Sequence, residues 1–364
     1  MPTRYFASRP VALQVVALFL IAACGGGGGG GGGNNNNPGT SGWLIPEAQV
    51  VDAGPGQDGI PAVDRPIMQL ASTVPVDDIL RNELVVGVLH EGTIHAYPHN
   101  IMNWHEVVND SINFNDYVLS YCPLTGSAVA WDVDDNLVDT EFGVSGLLYN
   151  SNLILYDRES GSRWSQMLEQ SVQGPRAADR PERIQVIETT WATWQAMYPD
   201  SFVLTRDTGF DRDYTAYPYG AYRFSDELLF PVSNTDNRLH PKERVIGIHS
   251  GATSKVYQIG SFGAATQTVN DQFGGTPIVV VGDSGADIAA IYSRELADGT
   301  ILTFSPLDDQ LPNIMDDTEG NVWDVFGNAV SGPRTGERLA MTNSYTAMWF
   351  AWVAFYPGAE IHFN

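Results

Sequence analysis

An internal repeat constrains the fold of this 364-residue chain more than any other feature of its sequence. Short blocks recur in the same order at an offset of about 160 residues. Residues 83–88 (ELVVGV) recur as residues 243–248 (ERVIGI). The later blocks pair Val108 with Val269, Asp157 with Asp316, Trp164 with Trp323, Gly174 with Gly332, and Trp194 with Trp352. Self-similarity at one offset is typical of a repeated architecture. We therefore expect two divergent copies of one unit, residues 80–205 and 242–364.

The pattern within each copy predicts mostly strands. Each copy begins with a β-branched run and a polar turn, which is typical of a hairpin. Further strands are predicted over residues 117–121, 128–133 and 153–156, and a short helix over residues 100–108. Each copy ends in an aromatic segment whose tryptophans are spaced by three and share one helical face. The predicted fold is α+β and strand-rich, with two tandem divergent copies of one β-rich unit, each closed by an aromatic helix.

The copies are joined by residues 206–241, which are rich in Tyr, Pro, Gly and Asp. Buried aromatic side chains contribute strongly to core stability, so we expect this connector to pack across both copies. An aromatic binding loop is the alternative.

The N-terminus has the pattern of a lipoprotein export signal. Arg4 and Arg9 precede residues 11–23, which contain one polar side chain, Gln14, and are too short to span a bilayer. Residues 20–24 (LIAAC) resemble a lipobox. We predict cleavage after residues 1–23, lipid attachment to Cys24 and a lipid-anchored protein of the cell envelope. An ordinary secretory signal is the alternative.

Residues 25–37 contain glycine and asparagine alone, so residues 24–42 are predicted to be a flexible tether, followed by a lead-in over residues 43–79. Loss of the signal segment leaves 17 basic and 43 acidic residues, a net charge of −26. Such a surface repels nucleic acid and anionic lipid. We expect no nucleic-acid partner and membrane contact through the lipid anchor alone.

Copy 1 carries the candidate reactive residues. If Cys24 is lipidated, Cys122 is the one remaining cysteine and no internal disulfide can form. Cys122 aligns with Asp283 of copy 2, and the pair His105 and Glu106 aligns with residues 266–267 (TQ). Polar residues present in one copy alone are candidates for chemistry. We therefore predict that copy 1 is active and copy 2 degenerate.

A second segment of copy 1 also lacks a counterpart in copy 2. Residues 143–150 (GVSGLLYN) form a candidate loop that includes Ser145, Tyr149 and Asn150.

Several of these segments together resemble domain-of-unknown-function family 3179. They are residues 103–110 (NWHEVVND), 121–124 (YCPL), 142–151 (FGVSGLLYNS), 156–159 (YDRE) and 241–245 (PKERV). The resemblance runs from about residue 60 to the C-terminus and implies an exported or lipid-anchored protein, with no established activity. Many members have a second cysteine where this chain has Thr125. Its absence here argues against an obligatory dithiol or Cys-x-x-Cys metal site in this protein.

Three functions fit these residues. The first is a soft-metal site with Cys122 and His105 as ligands and Met102 or His99 as helpers. Thiolate, imidazole and thioether together suit copper, and spacings of three place residues 99, 102 and 105 on one helical face. The cofactor is otherwise unknown.

The second function is thiol catalysis, with Cys122 as nucleophile, His105 as base, and Glu106, Asn109 or Asn150 as orienting groups. The third is a non-enzymatic surface binding or assembly module, in which Cys122 is a small buried apolar residue. The sequence leaves open which ligand is bound and whether the protein is an enzyme.

Overall fold

The computed structural model describes residues 42–133 and 140–363. They belong to one compact unit, Ser41–Asn364. Cys24, the signal segment and the tether up to residue 41 lie outside the described residues, so the predicted lipidation site is not part of the structure described below. No helix of the described ranges is long and apolar enough to span a membrane.

Six small β-sheets form the blades of a six-bladed β-propeller. Blade 1 contains, in order across the sheet, Val186–Thr190, Leu84–His90, Thr93–Pro98, Phe202–Leu204 and Met68–Leu70. Blade 2 contains Glu182–Ile184, Ser127–Asp132, Asn115–Cys122, Val107–Ile112 and Val63–Asp64. Blade 3 contains Val50–Asp52, Phe142–Tyr149, Asn152–Asp157, Arg163–Ser165 and Gln170–Gln173.

The second half of the chain forms the other three blades. Blade 4 contains Ser344–Met348, Arg244–Ser250, Thr253–Gln258 and Glu360–His362. Blade 5 contains Gln267–Phe273, Thr276–Asp283 and Ile288–Ser293. Blade 6 contains Phe304–Pro306, Asn313–Asp317, Val322–Asp324 and Ala329–Ser331.

Shared hydrophobic clusters join each blade to the next. One cluster spans blades 1 and 2, another blades 2 and 3, and a third joins the end of blade 3, through Met167, to blade 4. A fourth spans blades 4 and 5, and the largest joins blades 5 and 6 back to blade 1. The blades therefore follow one another around a closed ring in chain order.

Three α-helices are present in the described residues: α1 (His99–His105), α2 (Trp191–Met197) and α3 (Trp349–Phe355). Short 3-10 helices cover Glu47–Gln49, Ala71–Thr73, Tyr222–Phe224 and Ile259–Ser261. Helix makes up about 10% of the structure.

The predicted α+β fold of two tandem units, each closed by an aromatic helix, is therefore wrong. The chain does not stop at α2 or α3: the strands Phe202–Leu204 and Glu360–His362 follow them and extend blades 1 and 4. Many strands, such as Asn152–Asp157, are buried on both faces by neighbouring blades and show no alternating pattern. The hydrophobic periodicity of the sequence therefore does not predict a propeller.

The two aromatic helices pack against glycines in the sheets behind them. A Cβ atom on Gly87 would lie 1.9 Å from the Trp194 ring, and one on Gly247 would lie 2.2 Å from the Trp352 ring. Both tryptophans are fully buried. The glycines let each ring lie directly against the strand backbone, which explains why both segments need glycine.

One pairing from the repeat needs a one-residue correction. The indole nitrogen of Trp164 donates to Asp157, and that of Trp323 donates to Asp317 rather than Asp316, in each case at 2.8 Å.

The middle of the ring is closed. Strands of blades 1, 2, 4 and 5 surround a cavity of about 30 Å³, large enough for about one water molecule. Arg183 lies at this cavity and donates to Glu169 and to the carbonyl oxygens of Thr342 and Ser344. A ligand larger than water does not fit there.

Candidate functional site

Cys122 ends the strand Asn115–Cys122 of blade 2 and pairs with Ser127 across a tight turn. Gly126 closes this turn with a φ of 59°, in the left-handed region that glycine adopts without strain. The thiol belongs to the cluster between blades 2 and 3, with Trp131 and Trp164, and Sγ lies 3.9 Å from the carbonyl oxygen of Ser151. The structure holds the thiol in an apolar core.

Burial raises the pKa of the Cys122 thiol to about 11, with a further contribution from the negative charge of Glu106. The thiol therefore stays protonated at neutral pH. Because the thiolate is both the nucleophile and the metal ligand, this environment does not activate the sulfur.

His105, the last residue of α1, is fully buried and has a partner at each ring nitrogen. Nδ1 lies 2.8 Å from the carbonyl oxygen of Pro61, to which it donates, so Nε2 accepts from the Tyr214 hydroxyl at 2.6 Å. Burial lowers the pKa of His105. The imidazole is neutral, and no hydrogen bond joins it to Cys122 in the described ranges.

His99 and Met102 face the core between blades 1 and 2. His99 Nε2 lies 3.3 Å from Glu188 Oε2, and its ring lies 4.1 Å from that of Tyr121, centroid to centroid. Met102 is fully buried in the cluster shared by these blades. Within residues 42–133 and 140–363, no group of three or more His, Cys, Asp or Glu side chains is placed to hold a metal ion.

Glu106 is an ionisable residue close enough to Cys122 to act on the pKa of the thiol. It follows α1 with a left-handed φ of 61°, and its N–H donates to the carbonyl oxygen of Met102 at 2.9 Å, which ends the helix. The strand Val107–Ile112 begins at the next residue. This sharp change of direction carries the Glu106 side chain into the space between blades 2 and 3.

The Glu106 carboxyl is buried, with 4% of the residue exposed. Burial raises its pKa to about 7, although the Tyr219 hydroxyl donates to Oε1 at 2.9 Å and opposes the shift. The carboxyl therefore changes its charge near neutral pH, a property of groups that bind ligands or transfer protons.

Glu106 lines an apolar pocket of about 120 Å³. The other lining residues are almost all apolar: Ala53, Pro55, Ile60, Leu124, Val144, Gly146, Leu147, Leu148, Leu153, Tyr219 and Phe230. Pro55 is exposed and Ala53 half-buried, so the pocket reaches solvent beside this segment. A mainly apolar pocket with one polar anchor is the usual form of a small-molecule site.

The connector forms the remaining wall of the site. The Tyr217 hydroxyl lies 3.5 Å from the carbonyl oxygen of Pro123, and the Tyr222 hydroxyl donates to that of Leu124 at 3.0 Å. Tyr219 and Phe230 line the pocket itself. Some aromatic side chains of the connector thus pack on the turn after Cys122, whereas Tyr219 and Phe230 line the pocket. A binding role for the connector stays a prediction.

A comparison with protein families matches residues 57–359 to the family described as Protein of unknown function (DUF3179). The chain belongs to this family. The resemblance seen in the sequence is thereby confirmed. No curated protein and no solved structure matches the chain significantly.

The DUF3179 match includes Glu106, Cys122 and the whole connector, but it begins after Ala53 and Pro55. At Thr125, where the resemblance places a second cysteine in many members, the hydroxyl lies 2.8 Å from Ser127 Oγ and accepts from Asn152 at 3.0 Å. This position takes part in a buried hydrogen-bond network beside the turn.

The predicted loop of this DUF3179 member is a strand: residues 143–149 belong to Phe142–Tyr149 of blade 3, and Asn150 lies in the turn that follows. Its polar side chains form hydrogen bonds and ring contacts within the protein. Ser145 Oγ donates to the carbonyl oxygen of Ile154 at 2.5 Å, next to the irregularity in the strand pairing. Asn150 donates to the carbonyl oxygen of Ala354 at 3.1 Å, and the Tyr149 ring packs on Phe355. Ser145 and Asn150 thus stabilise local structure, whereas their neighbours Gly146, Leu147 and Leu148 line the pocket.

Glu106 thus lines a pocket, a position that the sequence does not predict, rather than only orienting a thiol. No local pattern indicates the pocket, because its walls come from the lead-in, blades 2 and 3, and the connector. The aromatic composition of the connector was the one available signal.

Proposed function

We propose that this protein is a lipid-anchored binding protein of the cell envelope, and that its pocket between blades 2 and 3 binds a small, mainly apolar molecule through Glu106. One observation carries the proposal: a buried carboxyl faces an otherwise apolar pocket of about 120 Å³. The anchor depends on the sequence around Cys24, which lies outside the described residues.

The size of the pocket limits the ligand. A dry apolar cavity of about 150 Å³ is known to accept benzene, so this pocket suits a molecule of about five to seven non-hydrogen atoms. Its apolar side chains favour transfer of hydrocarbon surface from water, and Glu106 is positioned to fix the orientation of one polar group.

Binding is better supported than thiol catalysis or copper binding. A thiol with a pKa of about 11 is a poor nucleophile and a poor metal ligand at neutral pH. His105, the predicted base or second ligand, already uses both ring nitrogens. Binding in the pocket requires neither an ionised Cys122 thiol nor a His105 ring free of its hydrogen bonds.

Benzene is a suitable first probe because it matches the volume and tests the apolar walls without a charge. Titration of the protein lacking residues 1–41 would depend on folding of a truncated chain, so the full chain in detergent is used, with binding followed by NMR shifts of the pocket methyl groups. We expect saturable shifts in Leu124, Val144 and Leu153.

The substitution Ala53→Leu adds three carbon atoms at the pocket wall and should abolish benzene binding. Ala297→Leu is the matched control, because Ala297 is exposed in the turn between blades 5 and 6 and should leave binding unchanged. Equal binding by wild type and Ala53→Leu, or no saturable shift in wild type, would contradict the proposal.

A further inference from the structure

We infer that the ligand of this pocket is a small aliphatic or aromatic amine, bound as its ammonium cation by the ionised carboxylate of Glu106. The inference rests on the proposed function and adds the chemical class of the ligand. Its basis is the charge of the side chains that surround the pocket.

Glu106 is the one charged side chain among the twelve residues that line the pocket. The ionisable groups that also face it are Tyr219, which lines the pocket, and Cys122 and Tyr217 next to it. All three are neutral when protonated and negative when ionised, so none can neutralise the carboxylate. The pocket therefore lacks a countercharge, which a cationic ligand would bring.

An ionised carboxylate without a partner is costly in an apolar environment, which is why burial favours the protonated form here. An ammonium group beside Glu106 compensates that charge and forms charge-assisted hydrogen bonds. A neutral ligand leaves the carboxylate unpaired, and an anionic ligand adds repulsion. The three classes should thus bind in the order amine, alcohol, carboxylate.

The aromatic walls favour the same class. Tyr219 and Phe230 line the pocket, and the faces of aromatic rings attract alkylammonium groups. The net charge of the chain, −24, also raises the local concentration of cations and lowers that of anions. The long-range field and the local site therefore select ligands of the same sign.

The test uses three probes of nearly equal shape: isobutylamine, isobutanol and isobutyrate. Titrations of the full chain in detergent at pH 8.5, above the pKa of Glu106, should show the amine binding at least about tenfold more tightly than the alcohol, as expected for a charge-assisted contact. Isobutyrate should not bind detectably. At pH 5.5 the carboxyl is protonated and the amine should lose most of its advantage.

Glu106→Gln separates the role of the charge from that of the pocket. The variant should lose the preference for isobutylamine over isobutanol, because the amide carries no charge. Benzene binding by the same variant reports whether the pocket is intact. If Glu106→Gln no longer binds benzene, Glu106→Asp is the test variant instead. Its side chain is shorter but keeps the charge, so it should retain a weakened preference for the amine.

The outcomes distinguish the two claims. If isobutanol and benzene bind but isobutylamine is not preferred at pH 8.5, the amine inference is overturned and the binding function stands. If none of the neutral probes binds, the binding function itself is overturned. An amine preference that persists unchanged in Glu106→Gln would also contradict the inference.

Discussion

Blades 2 and 5 each have a corner, formed by the end of one strand, the turn after it and the start of the strand beside it. The two corners share a backbone arrangement but differ in their side chains. Each has an eight-residue strand, Asn115–Cys122 or Thr276–Asp283, followed by a four-residue turn. In blade 5, Asp283 accepts from the N–H of Ala286 at 2.9 Å and from the Thr266 hydroxyl at 3.3 Å, so a carboxylate holds the turn. In blade 2 the corresponding side chain is the buried thiol of Cys122.

The residues at the start of the neighbouring strand also differ: Glu106 directly precedes Val107–Ile112, and Gln267 is the first residue of Gln267–Phe273. Gln267 of blade 5 is exposed, whereas Glu106 of blade 2 is buried under Tyr219 of the connector. The blade 5 corner thus uses its buried acid, Asp283, to hold a turn, and the blade 2 corner places its acid, Glu106, in a pocket. The difference shows how one backbone arrangement supplies a stable turn in one place and part of an apolar pocket in another.

The largest effect should come from a contact that both halves share. Gly87→Ala and Gly247→Ala each force a methyl group into a tryptophan ring and should lower the free energy of unfolding by about 3 kcal/mol. Urea denaturation of the variants and the wild type measures this change in the free energy of unfolding. Gly260→Ala, where the nearest atom to the added carbon is 3.5 Å away, is the control and should change stability by less than about 0.5 kcal/mol. A large effect at one glycine alone would mean that blades 1 and 4 are not built alike.

A second prediction concerns the buried acid of blade 2. The pKa of Glu106 is raised from its ordinary value of 4.5 to about 7, so the folded state binds the proton more tightly than the unfolded state. Its stabilising contribution is complete below about pH 4.5 and is lost as the pH rises to about 7. Glu106→Gln avoids this loss and should be more stable than wild type by up to about 3 kcal/mol at pH 8.5, with little difference at pH 4.

The matched change in blade 5 is Gln267→Glu, which places the same acid on an exposed position. Its unfolding free energy should stay within about 0.5 kcal/mol of wild type at both pH values. Equal pH profiles for wild type and Glu106→Gln would show that the blade 2 carboxyl is not buried in an apolar site.

Truncating the side chain at the end of each strand, Asp283 or Cys122, should lower the stability of the protein by different amounts. Asp283→Ala removes two hydrogen bonds that hold the blade 5 turn and should cost about 2 kcal/mol. Cys122→Ala removes one buried sulfur atom, whose contacts with Thr125 of the turn are weak hydrogen bonds, and should cost about 1 kcal/mol. Chemical denaturation of both variants tests this order, and a larger loss for Cys122→Ala would give the thiol a structural role that its contacts do not indicate.

The smallest perturbation is chemical labelling of the native thiol. Because its pKa is about 11 and the residue is buried, Cys122 should react with iodoacetamide at pH 7 at least about 100-fold more slowly than free cysteine. A Cys24→Ser background isolates this thiol, and labelling in denaturant gives the unperturbed rate. Labelling of the native protein as fast as free cysteine would instead favour the thiol enzyme.

The sequence predicted individual elements better than their assembly. The hairpin around residues 91–92 and the strands near Cys122 lie close to their predicted positions, and the predicted helix at residues 100–108 is shorter, at His99–His105. That helix ends early because Glu106 adopts a left-handed conformation. Glutamate is not a residue that usually ends a helix, so the sequence does not predict this end. The propeller was missed because strands buried on both faces lose the alternation that marks a sheet with one exposed face.

The candidate site was predicted in part. The contrast between the copies pointed to the corner that contains Cys122 and Glu106, but it ranked the thiol and His105 above the acid. Contacts across long sequence separations changed that order, because Tyr219 and Tyr214 come from the connector more than 100 residues away. Local spacing carries no information about such partners.

The most direct test of the account is the titration of the Glu106 carboxyl itself. In ¹³C NMR spectra of the folded protein, assigned by the loss of one signal in Glu106→Gln, this carboxyl should titrate with a pKa of about 7. Saturation with isobutylamine should move the pKa below that value, because the ammonium favours the ionised form. A titration at the ordinary value of a solvent-exposed glutamate, unchanged by the amine, would contradict the proposed pocket.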